Sequence, residues 1–289
     1  MANLLTEFLF PALGARGALI EFDEGVDAML GSRPYPADIR HLLGDAVAAM
    51  PLLASHARFA GRMALQFHGQ GALQMLVAQI DGQLQVRGMA KCTADAEGDF
   101  AELMQGGRLG LLLEQESSSQ SYQALVAIEG RTLAESLEHY FAQSEQLPTL
   151  LRLSGRGARI AGLLLQRLPL GENNSSEVNW EHLQALFATL GTEELGAVEG
   201  RVLLHRLFHA EELRLFEPRP VALHCRCSRE GIVAMLLSLG EDELRDHLIE
   251  HQKVEVTCEF CGREQRFSAA DIEAVQLKAR MQPDNRTRH

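Results

Sequence analysis

The chain has 289 residues, 46% of them hydrophobic, with 27 basic and 39 acidic side chains and a formal net charge of −12. This length and apolar content are enough for a sizeable core and indicate two domains rather than one. The negative charge disfavours a phosphate backbone or an anionic membrane as a general partner. We therefore expect no nucleic acid and no membrane among the partners.

The first residues do not resemble a targeting segment. Met1–Phe10 contains no Lys or Arg, and Glu7 interrupts its apolar run, which argues against a secretory signal peptide. No stretch approaches the roughly 20 apolar residues of a membrane span. The sequence therefore predicts a cytoplasmic protein. In that reducing compartment, paired cysteines are metal ligands or redox centres more often than structural disulfides.

Residues 1–171 are predicted to form one α+β domain built on an antiparallel sheet. Apolar residues at helical spacing predict a core-facing helix over Pro36–His56, and we expect Pro51 to kink it or to end its first part. A second helix is expected at Leu133–Ser144. Alternating residues and short turns predict antiparallel strands at 63–67, 73–80, 84–86 and 122–129.

Residues 172–220 are predicted to be a helical linker. The polar run 172–176 marks its beginning, and nine acidic against four basic residues give the segment a net charge of −5. Two apolar stripes lie at helical spacing: Trp180, Leu183, Phe187 and Leu190, then Val202, Leu203, Leu207 and Phe208. Short amphipathic helices depend on packing against something else for their order. The segment is either an ordinary connector or a metastable one whose stripes become available when its neighbour unfolds.

Residues 221–281 are predicted to form a small third region, followed by a flexible tail at 282–289. Its expected elements are a helix capped by Ser228 and ended by Gly240, a second helix over Asp242–Glu250, a hairpin of Val254–Thr257 with Gln265–Ser268, and a last helix beginning at Ser268.

Four of the five cysteines lie in this region as two close pairs: Cys225, Cys227, Cys258 and Cys261. We call these four residues the cysteine tetrad. Two close pairs folded together make a closed tetrahedral site for one zinc ion. A module of under about 70 residues buries too little apolar surface to be robust unaided. The sequence therefore predicts that zinc holds this module folded.

The tetrad also has the features of a redox switch. Alternate residues of an extended chain are about 6.5 to 7 Å apart, so a disulfide between Cys225 and Cys227 would be strained and labile. A thiolate consumed in a disulfide no longer binds zinc. Arg226, Arg229 and Arg263 lie within two residues of a ligand and are predicted to favour the thiolate form. The alternative is that these arginines simply face solvent.

Other ligands and reaction types are disfavoured. His224, His247 and His251 are predicted to be surface or packing residues, because four cysteines already complete a zinc site. Cys92 has no second thiol nearby and is predicted to be a small core or half-exposed residue. The sequence contains no P-loop and no zinc-protease motif, and a closed cage leaves no open position for hydrolysis. We therefore expect no enzymatic activity.

Four segments in order resemble the redox-regulated holdase chaperones known as heat shock protein of 33 kilodaltons, or 33 kDa chaperonin: Tyr140–Gln146, Leu163–Pro169, Cys225–Glu230 and Cys258–Cys261. The resemblance runs nearly from end to end. Gly231 departs from it, since many members have a basic residue there, and so does Pro51 within the first helix.

The resemblance implies zinc bound by all four cysteines in a reduced, inactive monomer. Oxidants such as peroxide with heat would then pair Cys225 with Cys227 and Cys258 with Cys261, with loss of zinc. The zinc module and the linker would unfold, the protein would dimerise, and exposed apolar surface would hold unfolded client proteins without ATP during oxidative stress.

Two other functions remain as alternatives on the residues alone. A structural zinc-ribbon adaptor could bind a protein or RNA partner, although residues 221–289 contain ten basic and twelve acidic side chains and offer no basic patch. A thiol oxidoreductase could use Cys258 and Cys261, although no thioredoxin-like βαβ context surrounds them.

Overall fold

A computed structural model describes residues 3–31, 33–56, 61–115, 121–157, 159–169, 177–239 and 241–274. The chain divides into two compact units, Met1–His224 and Cys225–His289. The polar run 172–176, the helix-ending Gly240 and the tail from residue 282 lie outside the described residues. Within the described part, no helix is both long and apolar enough to cross a membrane.

The first unit contains two sheets and seven described helices. Its strands are β1 (Leu4–Phe10), β2 (Ala15–Phe22), β3 (Gly61–His68), β4 (Leu73–Asp81), β5 (Gln85–Cys92), β6 (Arg108–Gln115), β7 (Ser121–Val126), β8 (Thr149–Ser154), β9 (Ile160–Arg167), β10 (Arg214–Leu215), β11 (Arg219–Pro220) and β12 (Ala222–Leu223). Its helices are α1 (Val26–Leu30), α2 (Ala37–His56), α3 (Phe100–Met104), α4 (Leu133–Gln143), α5 (Glu177–Ala188), α6 (Thr192–Ala197) and α7 (Gly200–Phe208).

The strands of the first unit form a mainly antiparallel arrangement, as the sequence predicts. The first sheet has the order β10-β1-β2-β9-β8, with β11 also paired to β1. The second sheet has the order β12-β5-β4-β3-β6-β7, and only β12 in it runs parallel to its neighbour. The predicted β3–β4–β5 meander is confirmed. Strands β1 and β2, which lie within the first sheet, were not predicted from the sequence.

Helix α2 packs against strands of both sheets and supplies much of the main core. Of the two alternatives for Pro51, an end of the first part of the helix is wrong, because α2 continues through Pro51 to His56, and a kink stays a prediction. A proline within a helix removes one hydrogen bond and costs about 3 kcal/mol. Burial of Leu52, Leu53 and Ala54 in the core offsets that cost and keeps the last turn helical.

Helices α5, α6 and α7 cover the other face of the first sheet. Both predicted apolar stripes are buried there, except for Val202, which is 44% exposed. They pack against alternate residues of the sheet, including Phe8, Phe10 and Leu163. The rings of Phe10 and Phe208 meet edge to face, with their centroids 5.0 Å apart. The helices of the predicted linker are therefore packed against the first sheet in this structure. This packing is consistent both with an ordinary connector and with a metastable segment.

A partly buried ionic group fixes the beginning of α7 on this sheet. The carboxylate of Glu21 accepts a hydrogen bond from Gly200 N at 2.7 Å and pairs with the guanidinium of Arg159. Arg159 also donates to the carbonyl of Val198 at 2.8 Å. Burial raises the pKa of Glu21, whereas the charge of Arg159 and the hydrogen bond from Gly200 act in the opposite direction. These contacts join three segments that are far apart in sequence.

The second unit contains α8 (Arg229–Leu239), α9 (Glu241–His251), β13 (Val254–Thr257) and β14 (Glu264–Phe267), followed by helical residues 269–274. These elements confirm the predicted helices and the predicted hairpin. The Ser228 hydroxyl accepts a hydrogen bond from Gly231 N at 3.0 Å and so caps α8, as expected.

The close approach of α2 to the loop after β8 gives a test of this packing. A Cβ atom on Gly44 would lie 2.6 Å from the carbonyl oxygen of Gly155, and backbone cannot move aside easily. Alanine favours a helix by about 1 kcal/mol over glycine, but overpacking costs about 1–3 kcal/mol. We expect Gly44→Ala to lower the free energy of unfolding, measured by urea denaturation with circular dichroism. Gly71→Ala, with no atom within 4 Å of the added Cβ, is the control; equal stability of the two variants would contradict this packing.

Candidate metal centre

Two local structures present the cysteine tetrad. Cys225 and Cys227 lie in the extended segment immediately before α8, and Cys258 and Cys261 lie in the turn that joins β13 to β14. The turn is closed by hydrogen bonds from Cys258 N to Arg263 O and from Gly262 N to Cys258 O, both 2.9 Å. Gly262 has a φ of 66°, which favours glycine and explains its position directly after the second pair.

The fold brings all four sulfur atoms of the tetrad together. They lie within 4.8 Å of one another, with 3.6 Å between the Cys225 and Cys258 sulfurs and 3.4 Å between those of Cys227 and Cys261. Zinc–sulfur bonds of about 2.3 Å in a tetrahedron place the sulfurs about 3.8 Å apart. The number, type and spacing of these ligand atoms therefore fit one zinc ion.

The four thiols have different surroundings, although each side chain is only partly exposed. Burial raises the pKa of Cys225 and that of Cys227. Burial acts in the same direction on Cys258, but hydrogen bonds from the backbone N–H groups of Cys261 and Phe260 and from neighbouring thiols outweigh it and lower the pKa of Cys258 to about 7. Backbone donors directed at a sulfur favour the thiolate, which is the form that binds metal.

The predicted tuning arginines differ in their contacts. The guanidinium of Arg229 lies 3.2 Å from Asp271, 4.5 Å from the ring centroid of Phe267, and donates to the carbonyl of Arg266 at 3.1 Å. Arg229 thus connects the beginning of α8 to β14 and the helical residues after it. Arg263 is exposed, and its backbone carbonyl accepts the hydrogen bond that closes the turn. The influence of Arg226, Arg229 and Arg263 on the thiolates stays a prediction.

The histidines do not join the tetrad. Among the described residues, the group of potential metal ligands around these sulfurs consists of the four cysteines. The backbone N–H of His224 donates to Val86 O, which places this residue beside β5 in the first unit. The rings of His247 and His251 lie 4.5 Å apart on α9. Cys92 lies at the end of β5, half-buried against the main core, where burial raises its pKa.

The core of the second unit is small. The buried apolar residues in its described part form one cluster: Ile232, Val233, Leu236, Leu244, Val254, Phe267 and Ile272. Such a cluster offsets little of the entropy lost on ordering a unit of this size. One tetrad segment precedes this cluster in sequence and the other lies between Val254 and Phe267, so a bond between them would add a cross-link to a marginal core.

The face of the first sheet against which α5, α6 and α7 pack was not predicted from the sequence. The alternation of Phe8 and Phe10 with Glu7 and Leu9 is a usable strand signal in β1. No local signal marks the contact of Glu21 with Gly200, because the two residues are separated by most of the first unit.

Comparisons with known proteins agree with this arrangement. The model of the Hsp33 protein family matches residues 3–268. The 33 kDa chaperonin of Pseudomonas aeruginosa (strain UCBPP-PA14) is 39% identical, covering 98% of this chain and 97% of that protein. The 33 kDa chaperonin of Nitrosococcus oceani is 38% identical, with 99% and 98% covered.

A solved structure shows the same fold. The crystal structure of the 33 kDa chaperonin from Thermotoga maritima superposes with a TM-score of 0.80 and covers 96% of this chain and 99% of that one, at 22% sequence identity. Because the family model and the relatives match over almost the whole sequence, and the four-cysteine cluster is present, the chain belongs to the Hsp33 protein family.

Proposed function

We propose that this protein is a cytoplasmic, ATP-independent holdase chaperone that is inactive while its tetrad is reduced and zinc-bound, and is activated by oxidation. The observation that carries the proposal is the convergence of four cysteine sulfurs, within 4.8 Å of one another, in a unit with a small apolar core. Membership of the Hsp33 family and the names of its chaperonin relatives support a role in binding other proteins.

Cys225, Cys227, Cys258 and Cys261 would hold the zinc ion, which supplies structural binding energy of about 10–16 kcal/mol when bound. That energy is comparable with the about 5–15 kcal/mol stability of a whole domain. The thiolates of the tetrad therefore keep the segment before α8 attached to the β13–β14 turn, and the small core remains folded only with this attachment.

Peroxide is the proposed oxidant. One thiolate attacks a peroxide oxygen, which breaks the O–O bond, forms a sulfenic acid and releases hydroxide. The second thiolate of the pair then attacks the sulfenic sulfur, which forms the disulfide and releases a second hydroxide. Each disulfide transfers two electrons to one peroxide, so two disulfides consume two peroxides. Positive charge from Arg226, Arg229 and Arg263 favours the attacking thiolates.

The pairing of the sulfurs determines what oxidation does to the unit. Disulfides within the pairs, Cys225 with Cys227 and Cys258 with Cys261, leave the two segments unattached, and the second unit then unfolds. Disulfides between the pairs would instead fasten the segments together. The proposed switch therefore requires pairing within each pair, although the nearest sulfurs belong to different pairs.

Unfolding of the second unit is proposed to release α5, α6 and α7. Their buried apolar residues, including Trp180 and Phe208, would then become available together with the face of the first sheet that they cover. Newly exposed apolar surface of this kind binds unfolded polypeptides and favours self-association. The oxidised form is accordingly proposed to be a homodimer that holds unfolded client proteins.

The switch can be tested by light scattering from a heat-unfolded client. We expect the oxidised protein to suppress aggregation and the reduced protein not to do so. Cys258→Ser should lose both stoichiometric zinc and the dependence on oxidation, because three thiolates no longer complete the site. Cys92→Ser is the matched control and should switch like the wild type. Equal suppression by the reduced and oxidised wild type would refute the proposal.

The disulfide pairing can be tested by proteolysis and mass spectrometry of the peroxide-treated protein. We expect linked peptides only within each pair, together with loss of helical circular dichroism. Cys92 provides an internal control, because it has no partner in the tetrad and should remain a free thiol. Predominant linkage of Cys225 to Cys258 or of Cys227 to Cys261, with the helix content retained, would contradict the unfolding step.

A further inference from the structure

Strand β7 forms an open edge of the second sheet. It is the last strand in the sheet order and pairs with β6, and no other strand of the described chain lies beside it. In an antiparallel sheet, alternate residues of an edge strand direct their N–H and C=O groups outward. An open edge is therefore a template for pairing with another extended chain.

The other described sheet edges are short, covered or charged. Strands β10, β11 and β12 each contain two residues. Strands β13 and β14 contain four residues each and include charged side chains, and the part of β5 that β12 leaves unpaired carries Arg87 and Lys91. Strand β8 has its Leu151 N–H occupied by the carboxylate of Glu138 at 2.6 Å. By contrast, β7 contains six residues, none of them charged. Proteins usually protect an edge of this kind with charged residues, a proline or a bulge, because it would otherwise pair with other chains.

The side chains of β7 add apolar contacts on both faces of the edge. Tyr122 is 55% exposed and Leu125 is 70% exposed. Side chains alternate along a strand, so these two lie on opposite faces. An added strand would thus place one set of its side chains beside Tyr122 and the other set beside Leu125.

A cavity of about 390 Å³ lies next to Tyr122. The register pairs Tyr122 with Leu113 and Leu113 with Met63, so these residues share the face of the sheet that lines the cavity. Leucines from α2 and Phe141 of α4 also line the cavity. Of its polar lining groups, the hydroxyl of Tyr140 donates a hydrogen bond to the carboxylate of Glu145 at 2.6 Å. The cavity can receive an apolar side chain.

The dimensions of the edge favour a short extended segment over a second folded copy. Six residues at about 3.3 Å each make a strand about 20 Å long, and a ribbon about 10 Å wide covers only ~200 Å². A stable interface between folded proteins needs about 800 Å² from each partner.

We propose that the β7 edge, with its adjoining cavity, binds an extended apolar segment of a non-native polypeptide as an added strand. The inference rests on the proposed holdase function and names the place of client contact in the first unit. Main-chain hydrogen bonds do not depend on side-chain identity, so one edge serves clients of different sequence. Apolar side chains of the client contact Tyr122 and Leu125 and enter the cavity.

The edge is open in the described conformation, whose cysteines are free thiols. It is therefore available before oxidation, and it binds a client only weakly because its area is small. Release of α5, α6 and α7 would add a second binding surface to the same molecule. Two linked weak sites hold one polypeptide far more firmly than either does alone. This explains how an open edge is compatible with an inactive reduced state.

Hydrogen exchange measured by mass spectrometry tests the location. The probe is reduced and carboxymethylated α-lactalbumin, which stays unfolded. We expect it to slow deuterium uptake in peptides covering Ser121–Val126, weakly in the reduced protein at high probe concentration and strongly in the oxidised protein. Protection confined to other segments would overturn the inference. If the same peptides are equally protected without the probe, and the protection rises with protein concentration, the edge pairs with a second copy of the chain. That result would also overturn the inference.

Paired variants give an independent measurement. Leu125→Lys places a charge on the edge, and we expect it to raise the dissociation constant of the fluorescent probe by about fivefold, the effect of losing one good cross-strand contact. Gln70→Lys adds the same charge at an exposed residue of the turn between β3 and β4; it is the control and should change binding by less than about twofold. Equal constants for the two variants, both folded by circular dichroism, would overturn the inference. If the oxidised wild type does not bind the probe, the proposed function is refuted. The hydrogen-exchange measurement on the reduced protein would then still test whether the β7 edge binds the probe.

Discussion

The association of four cysteine sulfurs from two separate segments is the constraint on which the second unit depends. The sulfurs of the segment before α8 and of the β13–β14 turn lie within 4.8 Å of one another, and the apolar cluster of the unit is small. A core of this size leaves stability close to zero without a cross-link. In the proposed function, chemistry at the sulfurs is coupled to the folding of the whole unit, which a site in a large core would not achieve.

The first unit supplies a second, different kind of interface. Helices α5, α6 and α7 bury aromatic and aliphatic residues on a sheet that already carries the main core on its other face. The partly buried ion pair of Glu21 and Arg159 anchors α7 through the N–H of Gly200. Removal of one charged partner would leave the other partly desolvated and unpaired. Such helices are well ordered while docked, yet too short to be stable alone. This combination suits a surface that is covered in one state and exposed in another.

The elements that follow from local sequence could be predicted, and those that depend on distant contacts could not. The β3–β5 meander, helices α8 and α9 and the β13–β14 hairpin have clear periods, caps and turns, and the four cysteines of the most specific motif lie close together. Strand β1 has a local signal in its alternating residues, but the packing of α5, α6 and α7 on Phe8 and Phe10 could not be predicted, because these helices lie far along the chain. Pro51 does not end α2, because burial of the next turn outweighs the local helix-breaking preference of proline. The open edge of β7 could not be seen before the sheet order was known.

The chain contains one tryptophan, and Trp180 lies on α5 with 4% of its surface exposed, packed against the first sheet. Its fluorescence therefore reports whether loss of the sulfur cross-link releases the docked helices. During peroxide treatment, with zinc release followed by a chromogenic chelator, we expect a red shift of emission and stronger quenching by acrylamide in step with metal loss. Complete disulfide formation and zinc release with unchanged Trp180 emission and quenching would contradict the coupling between the tetrad and the helices.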